Sequence, residues 1–148
     1  MKKYWNILPY NDTLAIMKTD KAQVIVSNNL NPQPEPHEVE VARIIARYYN
    51  CSIEFIQPLG GYKIKTADFI MNSQMWEIKS PQGNSKEHTI KDQFQKAKGK
   101  NHFMIIDGRR SPLEDELITK KIYFELTKHK GVKKLLFIAK SEKVIEIK

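Results

Sequence analysis

The segment Phe103-Met104-Ile105-Ile106 constrains the fold more than any other stretch of the chain. Four consecutive apolar residues leave no face for water, so the segment fits a short strand at the centre of a sheet covered on both sides. Helical patterns flank it. Ile90, Phe94 and Ala97 make a narrow apolar stripe at three- and four-residue spacing, which predicts a helix ending around Gly99. Downstream, Ser111-Pro112-Leu113-Glu114 places a capping Ser, a Pro at the first helical position and a Glu three residues after the Ser. That arrangement is a capping box and predicts a helix from about Pro112 to Lys130, stopped by Gly131.

The same reading extends outward. Leu135–Ala139 and Val144–Ile147 flank Lys140–Lys143 as a terminal hairpin. Upstream, Val41, Ala42, Ile45, Tyr48 and Tyr49 recur on one side of the segment His37–Tyr49, with Glu40, Arg43 and Arg47 opposite, which predicts an amphipathic helix ending near Asn50. Strands are expected around Ile53–Ile56, at Ala67–Met71 and at Met75–Ile78, with a turn at Gly60-Gly61. Residues 14–26 read as two short strands around a turn near Asp20 and Lys21, and the Asn- and Pro-rich stretch Ser27–Pro36 reads as an extended connector. The chain thus divides into a hairpin and connector over residues 1–36 and a main domain over 37–148. With 148 residues there is room for one solid core but not for two ordinary domains.

Composition narrows the class of function. Apolar residues at 41% and charged residues at 28% exclude whole-chain disorder. Cys51 stands alone, so neither an internal disulfide nor a Cys-rich zinc cluster can form, and it reads as a small buried residue. Met1–Tyr10 lacks the apolar run of a signal peptide, and no stretch approaches the roughly 18 apolar residues of a membrane span. A cytoplasmic site of action, with no membrane partner, is expected. The net charge of +8 favours a polyanionic partner, and its layout is uneven. Residues 37–78 are net −1, whereas residues 79–110 are +5 and residues 119–148 are +6. Carboxylates come first and cations after.

Those carboxylates include a chemically suggestive set. If Asn72 and Ser73 form a two-residue hairpin turn, Asp68 falls directly across from Glu77. Two opposed carboxylates repel unless a cation lies between them, and a divalent metal is the natural occupant. Lys79 follows Glu77 by two residues and so shares its face of the strand. Asp68 and Glu77 can offer oxygen ligands to Mg2+ or Mn2+, helped by the Ile78 carbonyl, while Lys79 can orient or deprotonate a water and steady a pentavalent phosphate. Glu38 falls in the apolar arc of its helix. It either favours the helix dipole from the first turn or points at the same metal.

This pattern resembles the PD-(D/E)XK nuclease superfamily: a helix with an inward Glu38, Asp68 on one strand, Glu77-Ile78-Lys79 on the next, then a helix. The longer run of Lys65–Ile70, Met75–Gly83, Thr89-Ile90 and Lys96-Ala97, with Ile106–Arg110 and the terminal strand pair, is more specific. It resembles the tRNA-cleaving C-terminal toxin domains of contact-dependent growth inhibition systems over residues 37–148. Ala67 stands where such domains often carry Pro, and Lys100 where Gln is expected. The resemblance implies a single α/β domain with a restriction-endonuclease-like core, a central mixed sheet flanked by helices, extended by the N-terminal hairpin. It also implies Mg2+-dependent endonucleolytic cleavage and a cognate immunity protein. Glu38, Asp68, Glu77 and Lys79 would be the catalytic set, the three carboxylates binding metal.

Around that set, Lys86, Lys91 and Lys96, with Lys98, can line a phosphate groove or simply form a solvated helix face. Arg109 and Arg110 follow the central strand, where ligands of α/β sheets commonly bind. Trp76 and Phe69 alternate with the acidic positions and are expected in the core. Two rival functions share the evidence: a DNA endonuclease using the same site, and a non-catalytic nucleic-acid-binding module that uses its charge alone.

Overall fold

The computed structural model describes residues 2–6, 21–57, 67–97 and 103–148. The expected features at residues 14–20, at Gly60-Gly61 and at Lys98, Gly99 and Lys100 lie outside these. The chain forms two compact units, Met1–Gln74 and Met75–Lys148. Both are α/β, with mixed sheets and helical crossovers.

In the first unit, β1 (Lys2–Asn6) pairs antiparallel with β2 (Gln23–Ser27), and β2 pairs parallel with β3 (Ser52–Phe55). A parallel pair needs a crossover, and α1 (Pro36–Tyr49) supplies it, packing on β2 and β3. Of the apolar arc read from the sequence, Val41, Ala42 and Ile45 are fully enclosed, whereas Tyr49 is half-buried and Tyr48, 48% exposed, lies outside the core. Asn50 ends the helix in the left-handed conformation at φ 51°, which Asn tolerates better than most residues. Both edges of β2 are occupied, by β1 and β3, so its antiparallel partner is the strand at Lys2–Asn6, far from it in sequence. β4 (Phe69–Met71) pairs antiparallel with β3, and the Phe55 and Phe69 rings meet edge to face at 5.9 Å. Asn72 and Ser73 follow with φ of 50° and 63°, two successive left-handed residues as a tight two-residue turn requires.

β5 (Gln74–Lys79), β6 (Phe103–Asp107) and β7 (Lys134–Ile138) run parallel in the second unit, and β8 (Val144–Glu146) closes it antiparallel to β7. The crossovers are α2 (Thr89–Ala97) and α3 (Asp115–Leu126). Parallel crossovers are right-handed, so strands added in one direction place both helices on one face. That face holds the core: Ile90, Phe94 and Ala97 of α2 and Ile118 and Ile122 of α3 pack on Met104, Ile106, Leu135 and Phe137. On the other face Ile105, Leu136 and Ile138 are also buried, as an all-apolar central strand demands.

One helix differs from its expected bounds. α3 starts at Asp115 rather than Pro112 and stops at Leu126 rather than Lys130. Ser111 does cap, but it caps a turn: its Oγ accepts from the Leu113 backbone N–H at 3.1 Å. Leu113 is drawn into the core, and its carbonyl accepts from the Lys140 ammonium, so Pro112 and Leu113 are held apart from the helix and Glu114 becomes its N-cap. At the other end Thr127 Oγ1 donates to the Phe124 carbonyl at 2.7 Å, and His129 packs against Phe94 beyond the helix.

Candidate active site

β5 positions the central pair of residues. Strand alternation turns Glu77 and Lys79 to one side, and Lys79 Nζ lies 2.7 Å from Glu77 Oε1. Their side chains are only 11% and 14% exposed, so the ion pair, more than water, offsets the cost of burying the two charges. The β5–β6 register sets Glu77 beside Met104 and Lys79 beside Ile106, placing the pair on the helix-covered face of the second unit. Trp76 turns to the opposite face, buried with its ring 5.3 Å from Phe103. Among the described residues, Trp76 Nε1 and Ser80 Oγ are buried with no hydrogen-bond partner. An orphaned hydroxyl directly after Lys79 marks the end of β5 as a place where the protein leaves polar capacity unused.

Residues leaving β5 and β6 gather at the carboxyl end of the parallel strands. Asp107, wholly buried, accepts from Arg109 Nε and Nη2 at 2.9 and 3.0 Å and from the Arg109 backbone N–H at 3.1 Å. Gly108 between them has no room for a side chain: a Cβ there would stand 2.6 Å from the Phe137 ring. The next residue, Arg110, is exposed and reaches across to Gln82 in the loop after Lys79. With the amide oxygen of Gln82 turned to it, Nη2 and Nε donate at 2.6 and 3.3 Å. Lys86 and Lys96 are exposed and Lys91 is half-buried.

Two expected site residues lie in the first unit. Glu38 is half-buried in the first turn of α1, where its Oε2 accepts from the Glu35 backbone N–H at 2.8 Å. The local helix-end role is therefore occupied, as one half of a capping box. Asp68 immediately precedes β4, half-buried, and its carbonyl accepts from the Ile56 N–H at 3.1 Å. Among the described residues no group of three or more His, Cys, Asp or Glu side chains is placed to hold a metal ion. Mg2+ does not require one. It commonly takes one or two carboxylates and completes its shell with water and substrate phosphate. The donors on offer are hard oxygens, the type Mg2+ and Mn2+ prefer.

Sequence reasoning missed Gln82, Asp107 and Ser80. Asp107 had a signal, an acidic residue ending an otherwise apolar strand beside two arginines. Gln82 and Ser80 had none, because their roles depend on partners or burial set by the fold.

An α/β toxin architecture is the class this fold matches. The chain superposes with TM-score 0.58 on a solved CdiA-CT/CdiI toxin and immunity complex from Burkholderia pseudomallei, at 18% identity, covering 76% of this chain and 82% of that one. Residues 65–144, more than half the chain, match the contact-dependent growth inhibition CdiA C-terminal domain, and the chain belongs to that family. No curated protein matches it. Among the described residues no helix is long and apolar enough to cross a membrane.

Proposed function

We propose that this chain is a metal-dependent nuclease of the PD-(D/E)XK type, a toxin domain that cleaves tRNA. The observation that carries the reading is the buried Glu77–Lys79 pair at 2.7 Å, on one strand, inside the family-matched segment. A solvated face has no use for a carboxylate and an ammonium this deeply enclosed, whereas metal-assisted phosphodiester hydrolysis can use both.

In this reading Asp68 and Glu77 hold Mg2+ or Mn2+, with the Ile78 carbonyl. When bound, the ion supplies Lewis-acid polarisation of the phosphoryl oxygen and a more acidic water. Lys79 orients the attacking water and, as an ammonium, stabilises charge on the pentavalent phosphate. Glu38 joins the carboxylate set only by giving up its cap. The cations Lys86, Lys91 and Lys96 lie downstream of the site in sequence and grip the nucleic-acid backbone. The partner of the Burkholderia toxin, an immunity protein, supports a cognate immunity protein for this chain as well. Action is in the cytoplasm of the cell that receives the toxin.

The substrate is tested by incubating the protein with bulk tRNA and, separately, with plasmid DNA in Mg2+. Discrete tRNA fragments with intact plasmid are expected. Nicked or linear plasmid with intact tRNA would move the activity to DNA, and two intact substrates bound in a salt-sensitive, EDTA-insensitive manner would make the chain a binding module.

A further inference from the structure

Two adjacent arginines follow β6, and the structure gives them different tasks. Arg109 is committed inward: its side chain is 16% exposed, and Nε, Nη2 and the backbone N–H all donate to the fully buried Asp107. Withdrawing it to hold a substrate would leave Asp107 buried without its cation. Arg110 is exposed, and Gln82 faces its Nε/Nη2 edge. A guanidinium has two such forks, and the Nη1/Nη2 fork is the one a phosphate can take bidentately. Gln82 is three residues after Lys79, and Arg110 four after Ile106, the register partner of Lys79. Both therefore leave the sheet at the same end, where ligands of open α/β sheets bind.

From this we infer that Arg110 is the arginine that binds a backbone phosphate of the substrate strand next to the cleavage site, and that Gln82 is a positioning residue that presents it. Arg109 is a strut that keeps the turn in shape. The assignment rests on the nuclease reading for its substrate but not for its test, because binding is measured without metal.

The test is the affinity of the full chain for bulk tRNA in EDTA across a salt series, with thermal unfolding in parallel. Arg110→Ala is expected to bind about tenfold more weakly, with the salt slope shallower by about 1, at unchanged Tm. Arg110→Lys should keep the slope and lose part of the affinity, because the charge remains and the fork is lost. Gln82→Ala should keep the slope and lose affinity severalfold. Arg109→Ala should lower Tm. Wild-type affinity and slope in Arg110→Ala overturn the assignment, as does a slope change in Arg109→Ala without a change in Tm. No tRNA binding by the wild-type chain also overturns it. If the wild type binds as expected and cuts nothing when Mg2+ is restored, the nuclease reading fails, and what stands is Arg110 as a phosphate-binding arginine presented by Gln82, with no cleavage site beside it.

Discussion

Glu38 and Glu77 are the same residue type and were expected to face the same metal, yet the chain uses them differently. Glu38 spends its carboxylate on its own helix, accepting the Glu35 N–H across three residues. Glu77 is buried on a strand and bound to Lys79, two residues on. One carboxylate answers a need that any helix has. The other answers no need of the fold, because apolar residues at positions 77 and 79 would fill that face with less desolvation. A charged pair kept where packing would prefer none is what distinguishes a candidate site from a structural contact.

Lys79 is where a substitution should do most damage. Lys79→Ala breaks the buried Glu77–Lys79 pair and should cost about 3–5 kcal/mol in a denaturant titration, with all cleavage lost. The paired change Glu77→Gln with Lys79→Met should recover most of that stability and none of the activity, separating the fold's requirement from the chemistry's. Gly108→Ala comes next. The added methyl meets Phe137 at 2.6 Å, and overpacking of this kind costs about 1–3 kcal/mol by thermal unfolding. Glu38→Ala should cost about 0.5–2 kcal/mol, the range of a lost helix cap, and Glu38→Gln should restore it. An activity loss in Glu38→Gln at full stability would show that Glu38 does leave its cap for the metal. The smallest effect concerns Cys51, whose thiol is pushed up by burial above its ordinary value of 9.0. At pH 7 it should be alkylated slowly by iodoacetamide until the chain is unfolded, since the thiolate is the reactive form.

Much of the architecture was legible because it is written locally. The α1 stripe, the Asn50 stop, the all-apolar β6 and the two-residue turn at Asn72-Ser73 each follow from spacing or from a residue's own backbone preference. The pairing of β2 with Lys2–Asn6 was not legible, since no pattern within either strand specifies so distant a partner. The start of α3 misled because Ser111-Pro112 carries a proper capping signal, and only Lys140, from another element, shows why the helix waits until Asp115. At the site, the shared face of Glu77 and Lys79 was visible in their spacing, but the depth of their burial was not. Arg109 and Arg110 look interchangeable as a dipeptide. Asp107 and Gln82 make them different.

A gel of bulk tRNA decides whether the Glu77–Lys79 strand is the working part of a metal-dependent nuclease. Wild-type chain and Glu77→Gln are each incubated with Mg2+, with and without EDTA. Discrete fragments from the wild type in Mg2+ alone, with none from Glu77→Gln or in EDTA, are predicted. Fragments from a folded Glu77→Gln, or from the wild type in EDTA, would contradict it.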